Sequence, residues 1–353
     1  MAWQRGHAFC SVTVSTMMKT EAELIERIRL RIPSRAGSLR IGIGDDAAVL
    51  HLCREQTRRA SHRVDWVWSC DAFLENVHFL AAVHPPDSVG FKALARATSD
   101  LAAMGALPKF FLLSLALPAD RTTRWLDGFL AGMARAARQF GLTLAGGDTA
   151  QHPTVAISIT ALGEVSPGRA VSRSGARPRD QLYVTGRPGA AQLGLELVLR
   201  GLYRERCWRH LLRPHLYPEL RLALSRWLSG RKLASAMIDT SDGLSADLEH
   251  LCQSSGVGAR LWADRIPMVR VPQALQARGF DPRELALHGG EDYELLFTVP
   301  SRFSQRVPTV YRGVPITPIG EIIPGRTMLL VEADGRTATL EARGWDHFRS
   351  PRR

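Results

Sequence analysis

Residues 233–244 read Leu233-Ala-Ser-Ala-Met-Ile-Asp-Thr-Ser-Asp-Gly-Leu244. The apolar run from Leu233 to Ile238 has the length and composition of a buried strand, and a helix is expected from about Leu244. Between them, Asp239 and Asp242 bracket Thr240 and Ser241, and Gly243 closes the turn. Strand, acidic turn and helix in that order make the unit from which α/β architectures are built. A glycine beside an acid also lets a phosphate approach the backbone closely.

The same pattern recurs along the chain. The short apolar run Leu39 to Ile43 stops at Asp45 and Asp46, and Val64 to Ser69 stops just before Asp71. Leu142 to Ala145 leads into Gly146-Gly147-Asp148, and the alternating Val155, Ile157, Ile159 and Ala161 predict a further strand. Helices are expected over Glu21 to Arg31, with Leu24, Ile25, Ile28 and Ile32 on one stripe before Pro33. Another is expected over Asp87 to Gly105, with Leu94, Ala97, Leu101 and Met104 on one stripe and Asp100 following Ser99. Trp125, Phe129, Met133 and Phe140 mark a third helix, closed by Gly141.

Between Glu164 and Asp180 the composition turns to Ser, Pro, Gly and Arg, as at an interdomain crossing. The expected organisation is an N-terminal extension over 1–19, a domain over 20–165 and a domain over 166–353. In the second half, strands are predicted at Leu182 to Thr185, Val257 to Ala263, Tyr293 to Val299, Ile316 to Ile322 and Met328 to Val331. Helices are predicted near 188–200, 217–229 and Pro272 to Arg278. No repeat of solenoid length and no low-complexity tract occurs.

The 353 residues are about twice an ordinary domain of ~100–200, so two domains or one large α/β unit are expected. With 45 % hydrophobic and 23 % charged residues, the chain can bury real cores and is not of disordered composition. The net charge of +12 favours an anionic partner, but only Lys19, Lys92, Lys109 and Lys232 are lysines, and the arginines are scattered. A diffuse basic surface predicts weak, salt-sensitive retention on polyanions and no specific nucleic-acid site. Five cysteines, with no Cys-x-x-Cys pair, argue against a disulfide framework and a zinc site and fit a reducing, cytoplasmic compartment. The apolar run Phe110 to Leu117 is far shorter than the ~20 residues of a membrane span. The first residues carry no convincing cleavage signal and are expected to be a disordered extension, with Met17 or Met18 as alternative starts.

Convergence of these aspartates on a chain of net positive charge would need a divalent cation to offset their mutual repulsion. Magnesium takes carboxylate and water oxygens and is commonly completed by substrate phosphates. Each acid also has a structural role open to it: Asp242 as a helix cap, Asp148 in a turn, Asp100 on a solvated helix face, Asp45 and Asp46 in an Asx turn. There is no Gly-x4-Gly-Lys-Ser/Thr, no dinucleotide fingerprint, no kinase signature set and no Gly-x-Ser-x-Gly elbow. Catalysis by a side-chain nucleophile has no sequence support, and metal-assisted phosphate chemistry remains.

The stretches Ile41-Gly-Ile-Gly-Asp-Asp-Ala-Ala-Val49, Asp71 to Phe79, Ser99-Asp-Leu-Ala-Ala-Met-Gly-Ala106, Gly146-Gly-Asp-Thr149, Ile238 to Leu244, Gly289-Gly-Glu-Asp-Tyr-Glu-Leu295 and Gly344-Trp-Asp-His-Phe348 together resemble the thiamine-monophosphate kinase family. The resemblance runs in order from about Thr20 to Phe348. It implies the two-domain fold shared with aminoimidazole ribonucleotide synthetase and selenophosphate synthetase. In that fold an N-terminal α/β domain dimerises through its sheet and a C-terminal α+β domain follows, with ATP between them. The implied activity is ATP-dependent phosphorylation of thiamine monophosphate to thiamine diphosphate by direct in-line transfer, in a homodimer.

Carried over position by position, the resemblance implies that Asp46, Ser69, Asp71, Asp100, Asp148, Asp239 and Asp242 hold several Mg2+ ions, with a monovalent cation as a further candidate. Gly147, Asp148, Arg173 and Ser241 would contact ATP, and His78, Glu291 and Trp345 the thiamine substrate. Asp148, Asp100 and Asp242 would serve the transfer through metal. Donor and acceptor are both polyanions, so neutralisation and alignment matter more than a strong base. Two positions depart from the family pattern. Cys70 stands where threonine is usual, and its soft thiol is a poor partner for Mg2+. Asn76 replaces a glycine, so either the local backbone differs there or it uses the left-handed tolerance of Asn. The Arg-rich stretch from His51 to Arg63 reads as a loop elaboration. Selenophosphate synthetase is the nearest alternative enzyme, but the reactive Cys beside a lysine near the N-terminus is missing. An inactive basic nucleic-acid-binding relative is the other alternative, and it has no aromatic-rich basic motif in its favour.

Overall fold

The structure, a computed structural model, describes residues 20–31, 38–51 and 64–345. The N-terminal extension with Met17 and Met18, Ile32 with Pro33, the Arg-rich stretch 52–63 and the motif residues 346–348 lie outside the described residues. Helix α1 (Glu21–Arg31) forms where the periodicity predicts it and belongs to a unit separate from residues 34–345. Thr20 Oγ1 accepts from the Glu23 N–H, and Glu21 and Glu23 place negative charge in its first turn, where the helix dipole favours it.

Six strands form the first sheet: β1 (Leu39–Ile41), β2 (Ala48–His51), β3 (Asp65–Leu74), β4 (Leu107–Leu117), β5 (Thr143–Gln151) and β6 (Ala156–Val165). Their order is β1-β2-β3-β6-β4-β5, antiparallel except for the β4–β5 pair. Helices α2 (Pro86–Ala103) and α3 (Arg124–Phe140) belong to the same half, and α2 packs on β3 and β6. The predicted stripe Leu94, Ala97, Leu101 and Met104 is fully buried, together with Phe129, Met133 and Phe140 of α3 and Val67, Phe73, Ile157 and Ile159 of the sheet. The two helices approach closely through glycine: a Cβ on Gly132 would sit 1.8 Å from the Asp87 carbonyl oxygen. Gly141 ends α3 in the left-handed conformation, as expected.

Only one face of this sheet is covered. Along β3, odd-numbered residues from Asp65 to Phe73 are buried or half-buried, while Trp68, Cys70, Ala72 and Leu74 are exposed. The pairings Trp68–Leu162–Phe110 and Cys70–Thr160–Leu112 continue the open face across β6 onto β4. Trp68, Phe110 and Leu112 are 43 %, 41 % and 42 % exposed, an apolar surface that water does not favour.

Sheet membership changes after Val165. Eight strands make the second sheet: β7 (Gln181–Thr185), β8 (Ala236–Asp239), β9 (Gly258–Trp262), β10 (Leu295–Val299), β11 (Val310–Tyr311), β12 (Val314–Ile323), β13 (Met328–Val331) and β14 (Thr337–Thr339). The order is β14-β13-β9-β12-β7-β10-β8, with β11 on β12. Around it stand α4 (Ala190–Leu199), α5 (Arg213–Leu216), α6 (Leu222–Arg231), α7 (Leu244–Ser255), α8 (Gln273–Gln276) and α9 (Pro282–His288). The mixed α/β architecture is the expected one, and no helix among the described residues is long and apolar enough to cross a membrane.

Several boundaries differ from expectation. The strand expected at Leu233 begins at Ala236, because α6 runs to Arg231 and Lys232 caps it in the left-handed conformation. The Leu233 N–H then bonds back to the Leu228 carbonyl. Likewise β10 starts at Leu295, since Tyr293 has φ 52° and cannot extend the strand. The helix expected over Pro272 to Arg278 is a single turn. Helix α9 was not expected, although Asp281 followed by Pro282 is a readable start signal: the Asp281 side chain accepts from the Arg283 N–H at 2.8 Å.

Candidate active site

Helix α2 supplies the spine of the site. Lys92, Arg96, Ser99 and Asp100 recur at helical spacing and so share one face, and each meets a partner from a distant part of the chain. Asp100 accepts from the Ser69 hydroxyl of β3, and the Ser99 hydroxyl donates to Asp239 Oδ2 at 2.5 Å, at the C-terminal end of β8. Arg96 faces Asp71 at 3.4 Å. Asp46, in the turn before β2, accepts from the Arg173 guanidinium, whose Nε lies 2.7 Å from Oδ1. Asp45 receives the backbone N–H groups of Asp46 and Arg173, at 3.0 and 3.2 Å.

These contacts bring Asp46, Asp100 and Asp239 together. One carboxylate oxygen of each lies within 4.8 Å of the others, the one such His/Cys/Asp/Glu grouping among the described residues. Burial opposes ionisation of all three, and repulsion between them adds to it at Asp100 and Asp239. Burial, followed by the charge of Asp239, holds Asp100 well above the usual carboxylate range. Burial and then Asp46 push Asp239 up to about 7. Asp46 is also raised by burial, against the pull of Arg173. Burial and the neighbouring Asp46 push Asp45 up to about 6. Three packed carboxylates and a nearby single guanidinium leave an excess of negative charge that a hard cation satisfies. Asp46 Oδ2, buried and without a hydrogen-bond partner among the described residues, is an oxygen of the kind such a cation takes. The donor set therefore fits magnesium.

Asp242 lies three residues past the end of β8, and its charge helps raise buried Asp247, second to burial itself. It does not cap α7 through its side chain: Gly243 is the cap residue and Asp247 Oδ2 accepts the Gly243 N–H at 3.0 Å. Gly243 has φ 124°, and a Cβ there would stand 2.8 Å from the His288 carbonyl oxygen, so only glycine fits this turn.

The structure does not bring Asp148 to the same place. Asp148 pairs with exposed Ser114, on the open face of the sheet, whereas Ser69 and Asp71 lie on the covered face. All nine residues of β5, Gly147 included, are exposed. Cys70 also points to the open face, where its sulfur lies 3.7 Å from the Ser158 hydroxyl, so the thiol does not intrude among the acids. Asn76 adopts φ 67°, the left-handed geometry anticipated for it.

Two of the candidate substrate residues, Glu291 and Trp345, lie on loops that are tied to the acidic turn. Glu291 donates its backbone N–H to the Ser241 carbonyl at 2.8 Å, Tyr293 to Thr240 at 2.9 Å and Trp345 to Asp242 at 3.1 Å. The Glu291 side chain lies 2.7 Å from Lys92 Nζ, 3.2 Å from His215 Nδ1 and 3.7 Å from Arg96. Burial would raise its pKa, but Lys92 and then His215 hold it well below the usual carboxylate range. Half-buried His78 accepts the Leu74 N–H at 3.0 Å and packs on Phe73. Trp345 is 55 % exposed. Sequence reasoning missed Lys92, Arg96, Ser99 and His215. For the first three the signal was present, as polar residues at i, i+4 and i+7 inside a helix that is otherwise apolar on that side.

Residues 44–165 match the family of AIR synthase related proteins, N-terminal domain. Over 337 residues the chain is 38 % identical to the thiamine-monophosphate kinase of Salmonella typhimurium, covering 94 % of this chain and 99 % of that one. The chain belongs to the thiamine-monophosphate kinase family. Among solved structures, AaThiL complexed with AMPPCP and TMP superposes with a TM-score of 0.78 at 32 % identity, over 95 % of this chain and all of that one. The thiamine-monophosphate kinase of Stenotrophomonas maltophilia K279a is 35 % identical with a TM-score of 0.70, over 89 % of this chain and 96 % of that one. The fold of this kinase family is thus the fold of the chain, both sheets included.

Proposed function

We propose that this protein phosphorylates thiamine monophosphate with ATP, giving thiamine diphosphate and ADP. Membership of the thiamine-monophosphate kinase family supports the reaction, and the convergence of Asp46, Asp100 and Asp239 is the observation that carries it. Asp46, Asp100 and Asp239, with Ser69, Asp71 and Asp242, are the residues that would hold magnesium, and Asp148, which the fold leaves apart from them, would hold an ion of its own. When bound, magnesium supplies charge neutralisation and alignment for two anionic reactants.

The rest of the chemistry belongs to the chain. Arg173, anchored on Asp46, keeps guanidinium N–H groups beside the acids, where a phosphate oxygen takes them in fork geometry. Gly147, Asp148 and Ser241 are the further ATP contacts. His78, Glu291 and Trp345 hold the thiamine: Glu291 as acceptor for the aminopyrimidine, Trp345 as a π face for a cationic ring. The two serines beside the clustered acids, Ser69 and Ser99, donate their hydroxyls to Asp100 and Asp239 and are read as orienting those carboxylates, not as phosphate carriers. The γ-phosphoryl group therefore passes directly to the substrate phosphate, in line. The open apolar face bearing Trp68, Phe110 and Leu112 is the surface a second copy covers, which makes the working unit a homodimer. The working compartment is the cytoplasm.

The test is coupled detection of ADP release, with and without thiamine monophosphate and with and without Mg2+. Release that requires both supports the reading. Release indifferent to thiamine monophosphate overturns it.

A further inference from the structure

Glu291 is held by a buried chain of side chains to which no role has been given. Lys92 is 2 % exposed and His215 and His84 are 0 % and 5 % exposed. Lys92 Nζ lies 2.7 Å from Glu291 Oε2 and 3.2 Å from His215 Nδ1, and His215 Nε2 lies 3.0 Å from His84 Nε2. His84 Nδ1 closes the chain at the Leu80 backbone, 3.1 Å from its N–H. One polarity avoids a lone-pair clash between His215 and the carboxylate. The Leu80 N–H donates to His84 Nδ1, His84 Nε2–H donates to His215 Nε2, and His215 Nδ1–H donates to Glu291 Oε2. Both rings are then neutral, in keeping with burial, which pushes His84 down to about 4 and lowers His215.

Lys92 is therefore the formal charge that compensates Glu291 at hydrogen-bond distance, and it shares Oε2 with His215. Arg96 stands 3.7 Å from Oε1, beyond hydrogen-bond reach, so Oε1 keeps acceptor capacity. The backbone of Glu291 is fixed as well, at φ 67° for a non-glycine residue, with its N–H on the Ser241 carbonyl. An uncompensated carboxylate here would pay the desolvation cost of a buried charge and would reorient or protonate.

We infer that Lys92 is the positioning residue of Glu291: by occupying Oε2 from α2 together with His215, it presents Oε1 to an N–H group of the substrate's pyrimidine. The inference rests on the reading that Glu291 contacts thiamine. It assigns Lys92 to recognition of the acceptor, apart from the residues of the same helix that face the acids.

Steady-state kinetics with Mg2+ on the full chain test it, comparing Lys92→Met, Glu291→Gln and the double variant. Lys92→Met is expected to raise the KM for thiamine monophosphate about 10- to 100-fold, the scale of a charged hydrogen bond. The KM for ATP should stay within about twofold. The double variant should be no worse than the weaker-binding single variant, because Lys92 acts through Glu291. If Glu291→Gln raises that KM while Lys92→Met leaves it unchanged, or if the two effects simply multiply, Lys92 is only structural and the inference fails alone. If Glu291→Gln has no effect on it, the reading of Glu291 falls and takes the inference with it. Should Lys92→Met not be recovered folded, Lys92→Gln, which keeps an N–H donor, is read by the same criteria at smaller amplitude.

Discussion

Helix α2 and strand β5 both carry candidate site residues, in opposite surroundings. Fourteen of the eighteen α2 residues are buried, Lys92 and Ser99 among them, while all nine residues of β5 are exposed. Each polar side chain that α2 turns toward the acids finds its partner within the chain: Ser69, Asp71, Asp239, Glu291. Gly147 and Asp148 of β5 lie outside that network. One folded copy thus assembles the α2 part of the site by itself, whereas β5 meets its β4 neighbour but none of the clustered acids.

The sharpest way to break the comparison is to neutralise one acid from each region. Asp100→Asn is expected to cut turnover by roughly 10²–10³-fold or more, the scale of losing one preorganised electrostatic contact to the transferring group. Asp148→Asn is expected to fall as severely. Single-turnover assays of both variants decide the matter, and full activity in Asp148→Asn would remove β5 from the reaction while leaving α2 in it.

A second prediction concerns what covers the open face. Phe110→Glu combined with Leu112→Glu places like charges on the apolar surface; if the proposed dimer forms there, the variant is expected to sediment as a monomer where the unaltered chain sediments as a dimer, with little change in circular dichroism. Retention of the dimer would mean that copies associate elsewhere.

The smallest effect is on stability. Asp45, Asp239 and Asp292 have folded-state values raised from 3.8 to about 6, about 7 and about 7, chiefly by burial. The folded chain therefore binds protons more tightly than the unfolded one. The contribution is full below pH 3.8 and is lost as pH rises through about 6 and 7. Without metal, the melting temperature should drop between pH 5.5 and 8. Magnesium should restore at least about 2 °C at pH 8 and less at pH 5.5, where protons compete for the same oxygens. A magnesium response independent of pH would separate these acids from the metal.

Part of this was readable because acids follow apolar runs in the sequence. Asp239 does end β8 and Asp46 stands in the turn before β2, whereas Asp71 and Asp148, expected just past strand ends, lie inside β3 and β5, which run on through them; the apolar stripe of α2 was legible from its period. His215 was not, because a polar residue buried on a short helix takes its meaning from a partner that is distant in sequence, whereas Lys92 and Arg96 left a helical spacing that was there to be read. His215 and Glu291 meet across a long stretch of chain, and no local pattern encodes that meeting. Asp148 shows the converse: its Gly-Gly-Asp motif stands out in the sequence, yet the lone chain gives it no neighbours among the acids. Strand ends slipped where left-handed residues intervened, as at Lys232 and Tyr293.

Strand β5 closes the first sheet at its outer rim, and no further strand pairs with it among the described residues. A row of backbone donors and acceptors so placed is a template for any extended polypeptide. Newly made chains that have not met their mate would recruit one another along this rim, so the yield of usable enzyme should fall as the rate of synthesis outpaces assembly. Slow expression at low temperature is accordingly the condition under which this kinase should be recovered intact.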